Sequence, residues 1–303
     1  STLYLAGKIQ SSALRLDCAQ RLELQGSGSI VASFLGQPSA GGSGAGGTPA
    51  SGNSGAGGGG AHGGGGGDGA RSSVSHAGSY GDFTLPRTAG SGGGRGLFSY
   101  STSRYYQDGG AGGGIIELNV TGALTLEAGT KIEASGAVGK SGASSISGSY
   151  NGPVNGGGGG AGGSILIFAT RVEGSGRIEA AGGQGGTAGQ RGSYQNAGGG
   201  GGGGRIAIRG DAISPSVTLD ASAGAAGNAR GGSGVANRGG PGHVYTHLGD
   251  RKVLSYDSRL TTSAVSGDGE VDLIPSGASV ELDELHLLGC HANIISSVTA
   301  DTV

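Results

Sequence analysis

The chain has 303 residues, a formal net charge of −2, 13% charged residues and 76 glycines, with 7 prolines, 2 cysteines and neither methionine nor tryptophan. So small and balanced a charge provides no basic face for a nucleic acid or an anionic membrane surface, and no apolar run approaches the roughly 20 residues of a membrane-spanning helix. Glycine content this high is usual in low-complexity or disordered chains, but collagen is excluded, because glycine does not hold every third position and proline is scarce.

From the N-terminus, residues 1–35 alternate apolar and polar positions and read as strand-bearing rungs; "LELQGSGSIVASFLG" from Leu22 is the first copy of a recurring unit. Glycine-rich chain follows over 36–114, with tyrosines in "YSTSRYYQDG" from Tyr100 and an acidic glycine turn at Asp68. The unit then recurs as "GGIIELNVTGALTLEAGTKIEASGA" from Gly113, "GGSILIFATRVEGSGRIEAAGGQ" from Gly162, "GGRIAIRGDAISPSVTLDASAGA" from Gly203 and a looser "GHVYTHLGDRKVLSY" from Gly242. Its first strands align at Ile115, Ile165, Ile206 and Val244, spaced by 50, 41 and 38 residues. Constant strands with variable loops are what a solenoid shows. Period-two alternation puts Ile165 and Ile167 on one face and Leu166 and Phe168 on the other.

The expected fold is therefore all-β: a right-handed parallel β-helix with ordered, polyglycine-II-like hairpins inserted at 36–114, 135–163, 182–204 and 222–242. Right-handedness follows the general crossover preference. Without Cβ, glycine runs can approach closely and bond backbone to backbone, and their mutual packing is required to offset the entropy of ordering them. One elongated domain is expected, with rungs over 1–35, a glycine-rich solenoid over 36–245 and further rungs over 246–303. Both ends read as strand cut mid-pattern, so the chain is expected to be a processed piece of a longer protein.

Several motifs could carry chemistry. "KIEA", "RIEA" and "TLDA" place Glu133, Glu179 and Asp220 at one equivalent position on successive rungs, with Lys131 and Arg177 two residues earlier. Parallel strands lie about 4.8 Å apart, so adjacent carboxylates there repel by roughly 0.9 kcal/mol even in water. A mixed-charge ladder, a cation site and a pair of glycosidase carboxylates are the three readings of this row. "NVT" at Asn119 is a sequon on the strand face opposite Ile116, Leu118 and Val120, and thus a candidate glycosylation site. "ASGAVGKS", Ala134 to Ser141, satisfies a loose phosphate-loop pattern but is followed by chain that cannot form the required helix. The lone calcium-type turn at Asp68 lacks tandem copies. The six histidines show no metal spacing, and Cys18 and Cys290 read as unpaired packing residues. No cofactor or metal is expected. Tyr80, Tyr100, Tyr150 and Tyr194 punctuate the hairpins as caps or as a sugar-stacking rim.

The succession "GGGGAHGGGGGDG", "YGDFTLP", "GSGGGRG", "GGGIIELNVTGALTLEAGTKIEASG" and "GGRIAIRG" resembles the glycine-rich β-solenoid modules of very large extracellular surface and adhesin-like proteins of protists and bacteria, over roughly residues 22–245. The resemblance implies an extracellular, modular, structural or adhesive protein, and brings no catalytic residues. The leading expectation is a non-enzymatic building block of a cell-surface layer, appendage or filament, whose partners are copies of itself, other surface proteins or glycans. A glycan-binding adhesin module and a β-helical polysaccharide-active enzyme are the alternatives.

Overall fold

The computed structural model describes residues 2–50, 54–71, 78–100, 103–142, 155–189, 196–229, 235–257, 271–272, 280–288, 292–293 and 298–302. The strands are β1 (Thr2–Leu5), β2 (Lys8–Gln10), β3 (Ala13–Cys18), β4 (Arg21–Leu24), β5 (Ser29–Val31), β6 (Gly96–Tyr100), β7 (Ser103–Gln107), β8 (Ile115–Leu126), β9 (Lys131–Glu133) and β10 (Ser164–Gly174). They continue as β11 (Arg177–Glu179), β12 (Arg205–Gly210), β13 (Ala212–Ile213), β14 (Thr218–Asp220), β15 (His243–Leu248), β16 (Arg251–Asp257), β17 (Val271–Asp272), β18 (Val280–Leu288), β19 (Ala292–Asn293) and β20 (Val298–Thr302). No helix occurs among the described residues.

The expected right-handed parallel β-helix is not what forms. The molecule is all-β with a mixed, 11-stranded sheet in the order β1-β4-β8-β10-β12-β15-β16-β18-β20, with β3 paired to β8 and β13 to β10, and a separate five-stranded parallel sheet, β14-β11-β9-β5-β2. The parallel run ends at β15, which pairs antiparallel with β16. Gly249, at φ 60°, and Asp250 form the connection; a two-residue turn with positive φ makes a hairpin rather than a further rung. Closure fails for a second reason. The repeats from Gly113, Gly162 and Gly203 each give strand to the large sheet and one short strand to the small sheet, but return through glycine runs that belong to neither.

Between the two sheets lies the main core. The row Ile116, Ile165, Ile206, Val244 runs across β8, β10, β12 and β15, so the first repeat aligns through Ile116, one residue later than its motif suggests. Facing it, Ile30, Ile132, Ile178 and Leu219 stack across β5, β9, β11 and β14. Each fully buried aliphatic side chain of this kind contributes about 1.5–3 kcal/mol. Leu166, on the opposite face of β10 from Ile165, joins a second cluster with Phe83, Ala207, Tyr245, Leu254 and Tyr256, and Phe168 packs against it.

The glycine runs form a third packed body whose buried apolar side chains are mostly alanine methyls, such as the cluster Ala70, Ala197 and Ala236. In 155–163, backbone N–H groups donate in rotation to three neighbours: positions 156, 159 and 162 to 196, 199 and 202; positions 157, 160 and 163 to 140, 137 and 134; positions 158 and 161 to 94 and 91. Its carbonyls accept from three others, at 57 and 60, 110 and 113, and 183 and 186, and all these bonds measure 2.7–3.0 Å. A three-residue rotation is the signature of an extended three-fold helix, and six neighbours make the packing hexagonal. Run 196–204 is likewise surrounded: it donates to 180–186, 57–60 and 237–240 and accepts from 64–70, 156–162 and 224–227. Both runs are buried along their whole length. At the central glycines no side chain fits, since a Cβ on Gly158 would stand 1.8 Å from the Gly58 carbonyl oxygen.

Candidate functional site

The parallel register sets Glu133, Glu179 and Asp220 side by side on β9, β11 and β14, with Lys131, Arg177 and Thr218 forming the adjacent row. Ile132 and Ile178 between them point into the core, so period two directs both rows outward. Arg177 Nε lies 2.8 Å from a Glu179 carboxylate oxygen, its Nη2 reaches Asp220, and Lys131 holds Glu133. Burial raises the Glu179 carboxyl above its usual range; Arg177 opposes this, Asp220 and Glu133 add to it, and the Ser135 hydroxyl opposes it. The row is thus a mixed-charge ladder in which two cations face three carboxylates. Among the described residues no group of three or more His, Cys, Asp or Glu side chains is arranged to hold a metal ion.

Asn119 is half-buried on β8, where its Nδ2 donates to Asp17 Oδ1 at 2.6 Å on neighbouring β3. Beside it, Glu117 receives two bonds from Arg87, at 2.9 and 3.1 Å, and that contact holds its carboxyl below the usual range. The loose phosphate-loop stretch lies in a glycine run, not before a helix, and its Lys140 Nζ pairs with Asp108 at 2.9 Å. Cys18 is buried and unpaired, and donates to the Arg21 carbonyl. Tyr80 is no hairpin cap: its hydroxyl donates to the Ala89 carbonyl at 2.6 Å beside the sheet. Tyr150, Tyr194, His76, His291 and Cys290 lie outside the described residues.

The most unusual chemistry sits where the glycine body meets the large sheet. Segment 80–88 lies as a strap on the sheet's outer face: Phe83 packs on His243 and Tyr245 of β15, Arg209 of β12 donates to the Thr84 carbonyl, Arg87 reaches Glu117 of β8, and Ser164 of β10 donates to the Thr88 carbonyl. Asp82 Oδ1 shapes the strap's turn by accepting from the Thr84 amide and hydroxyl. Beneath it, Arg205 is fully buried. Its guanidinium donates to the Tyr80 carbonyl from Nε at 3.1 Å and from Nη2 at 2.8 Å, to the His62 carbonyl, and to His243 Nδ1 at 3.2 Å. Burial pushes this guanidinium down to about 10, with partial compensation from Tyr256, Asp82 and Tyr80; it remains charged at neutral pH.

His62, also fully buried, bonds through Nδ1 to the Gly162 carbonyl and through Nε2 to the Thr88 hydroxyl, both at 2.9 Å. A carbonyl only accepts, so Nδ1 carries the proton and Nε2 the lone pair. Burial, then the Arg205 charge, hold this imidazole down at about 3. Sequence reasoning passed over the Arg205, His62 and His243 cluster. The available signal was an arginine between seven glycines and an apolar strand, on the outward face shared with Ala207 and Arg209. No known protein family, curated protein or solved structure matches this chain.

Proposed function

We propose that this chain is a non-enzymatic extracellular structural module, a building block of a surface layer, appendage or filament that associates with copies of itself or with other surface proteins. The observation that carries the reading is the hexagonal glycine body fused to two sheets. Three packed bodies interlocked along one direction resist bending and local opening, because each glycine run is held by several neighbours at once. Parallel stacking also lets such a body lengthen by repeating units. Immunogold electron microscopy on intact source cells tests the proposal: label on a surface layer or regular fibres supports it, and label confined to the cell interior overturns it.

An adhesive reading is favoured by the β6–β7 hairpin, where Phe98 and Tyr105 stack at 6.4 Å and Tyr106 is 47% exposed. Aromatic faces of this kind stack on sugar rings. Glycan-array binding lost in Tyr106→Ala would support that reading; an array with no bound glycan would remove it.

A further inference from the structure

Three glycine-body elements converge on His62: its own turn between 55–62 and 63–70, Gly162 at the end of a central run, and Thr88 at the end of the strap. Tyr80 packs against the ring at 5.0 Å between centroids, and its amide donates to the His62 carbonyl at 2.9 Å. The nearest charge is Arg205, whose Nη2 bonds the same carbonyl. His243 stands behind Arg205; a guanidinium only donates, so His243 Nδ1 must keep its lone pair. Of the other charges around the strap, Asp82 accepts from Thr84 and its carboxylate partly compensates Arg205, while Arg87 is paired with Glu117 and Arg209 donates to the Thr84 carbonyl. Among the described residues no carboxylate bonds to His62 or Arg205. A second positive charge, on His62, would therefore face the Arg205 charge with no carboxylate bonded to either.

We propose that His62, Arg205 and His243 form an acid-sensitive clasp, through which mild acid lifts the strap, residues 80–88, off the large sheet while the sheets and the glycine body stay folded. The device is independent of the surface role above.

The sign follows from the two states. With the clasp closed, His62 is neutral until about 3; once opened to water it takes up a proton below about 6.5. Opening releases nothing above that value, gains about tenfold per pH unit below it, and levels off near the closed-state value. At about pH 4.5 the open fraction of the clasp should exceed its neutral-pH value by about a hundredfold. The strap is where this appears first, because it is held to the sheet by scattered side-chain bonds, whereas β10 is paired on both edges and packed on both faces.

Hydrogen exchange with mass spectrometry on the intact chain at neutral pH and about pH 4.5, corrected for intrinsic rates, tests this directly. The expected result is a drop of about two orders of magnitude in protection over 80–88 with little change over 164–174, and a pH-independent pattern in His62→Gln. Equal protection at both pH values, or the same acid response in His62→Gln, overturns the proposal. Should the variant fail to fold, 15N NMR of the wild-type imidazoles decides: His62 must stay neutral with its proton on Nδ1 while 80–88 is protected. Titration of His62 in place near its free value, with the strap still protected, overturns the clasp.

Discussion

Replacing Gly201 by alanine should cost far more than a glycine substitution ordinarily does. The new Cβ would stand 2.0 Å from the Gly160 carbonyl oxygen, where ordinary contact begins at 3.4 Å. The obstructing atoms are backbone of Gly160 and Ala161, not the end of a flexible side chain, so runs 155–163 and 196–204 must separate by more than an ångström. They share three hydrogen bonds, from 156, 159 and 162 to 196, 199 and 202. At about 1 kcal/mol net apiece these alone amount to about 3 kcal/mol, with more lost as each displaced run disturbs its other neighbours. That is a large part of a typical stability of about 5–15 kcal/mol. Gly7 is the control: it is exposed, and a Cβ there meets nothing within 4 Å. Gly7→Ala should be neutral or stabilising by up to about 1 kcal/mol, because alanine narrows the unfolded ensemble. Urea unfolding of both variants compares midpoints at constant slope. Equal midpoints for Gly201→Ala and the parent would refute a backbone-packed glycine body.

Phe34 holds a φ of 65° and is 53% exposed, so Phe34→Gly should relieve about 1 kcal/mol of left-handed strain and raise the melting temperature; a lower one would mean that the ring makes a compensating contact. Removing Arg177 as Arg177→Gln leaves Glu179 between Glu133 and Asp220 with less opposing charge. The variant should lose about 1–2 kcal/mol at neutral pH and regain it near pH 4, because carboxyls with raised folded-state values are penalised only when ionised. A deficit that persists in acid would point to lost packing of the guanidinium instead. Arg87→Met should destabilise at neutral pH by about 1–3 kcal/mol, since Glu117 is 8% exposed and loses the two bonds from Arg87, keeping only the longer contacts to Asn119 and Arg15. Here too the deficit should shrink in acid: the ionised, Arg87-paired Glu117 stabilises the parent above the unfolded carboxyl range and loses that contribution as pH falls through its lowered folded value. Unfolding curves at two pH values separate these outcomes.

What could be read from the sequence was local and repeated. The Ile-x-Ile pairs of Ile165 and Ile206 identify strands that do pair, and "KIEA", "RIEA" and "TLDA" place three carboxylates that do stand adjacent. Ile115 misleads by one position because two isoleucines stand together and only the pairing chooses between them. The reversal at Gly249 and Asp250 was hidden because "GHVYTHLGDRKVLSY" keeps the apolar pattern of a rung while its turn residues specify a hairpin. Arg205 was illegible for a different reason. Its burial depends on Tyr80, 125 residues away in sequence, and a strap's landing place has no periodic signature.

The account rests on the glycine runs being a packed core with bonded amides. Amide exchange by NMR on protein labelled with 15N-glycine measures this most directly, because Gly156 to Gly160 and Gly198 to Gly204 lie outside every strand. The account predicts protection in these runs close to that of the neighbouring strand β10, well above that of the exposed Gly7. Exchange of the central glycines at the rate of Gly7 would contradict it.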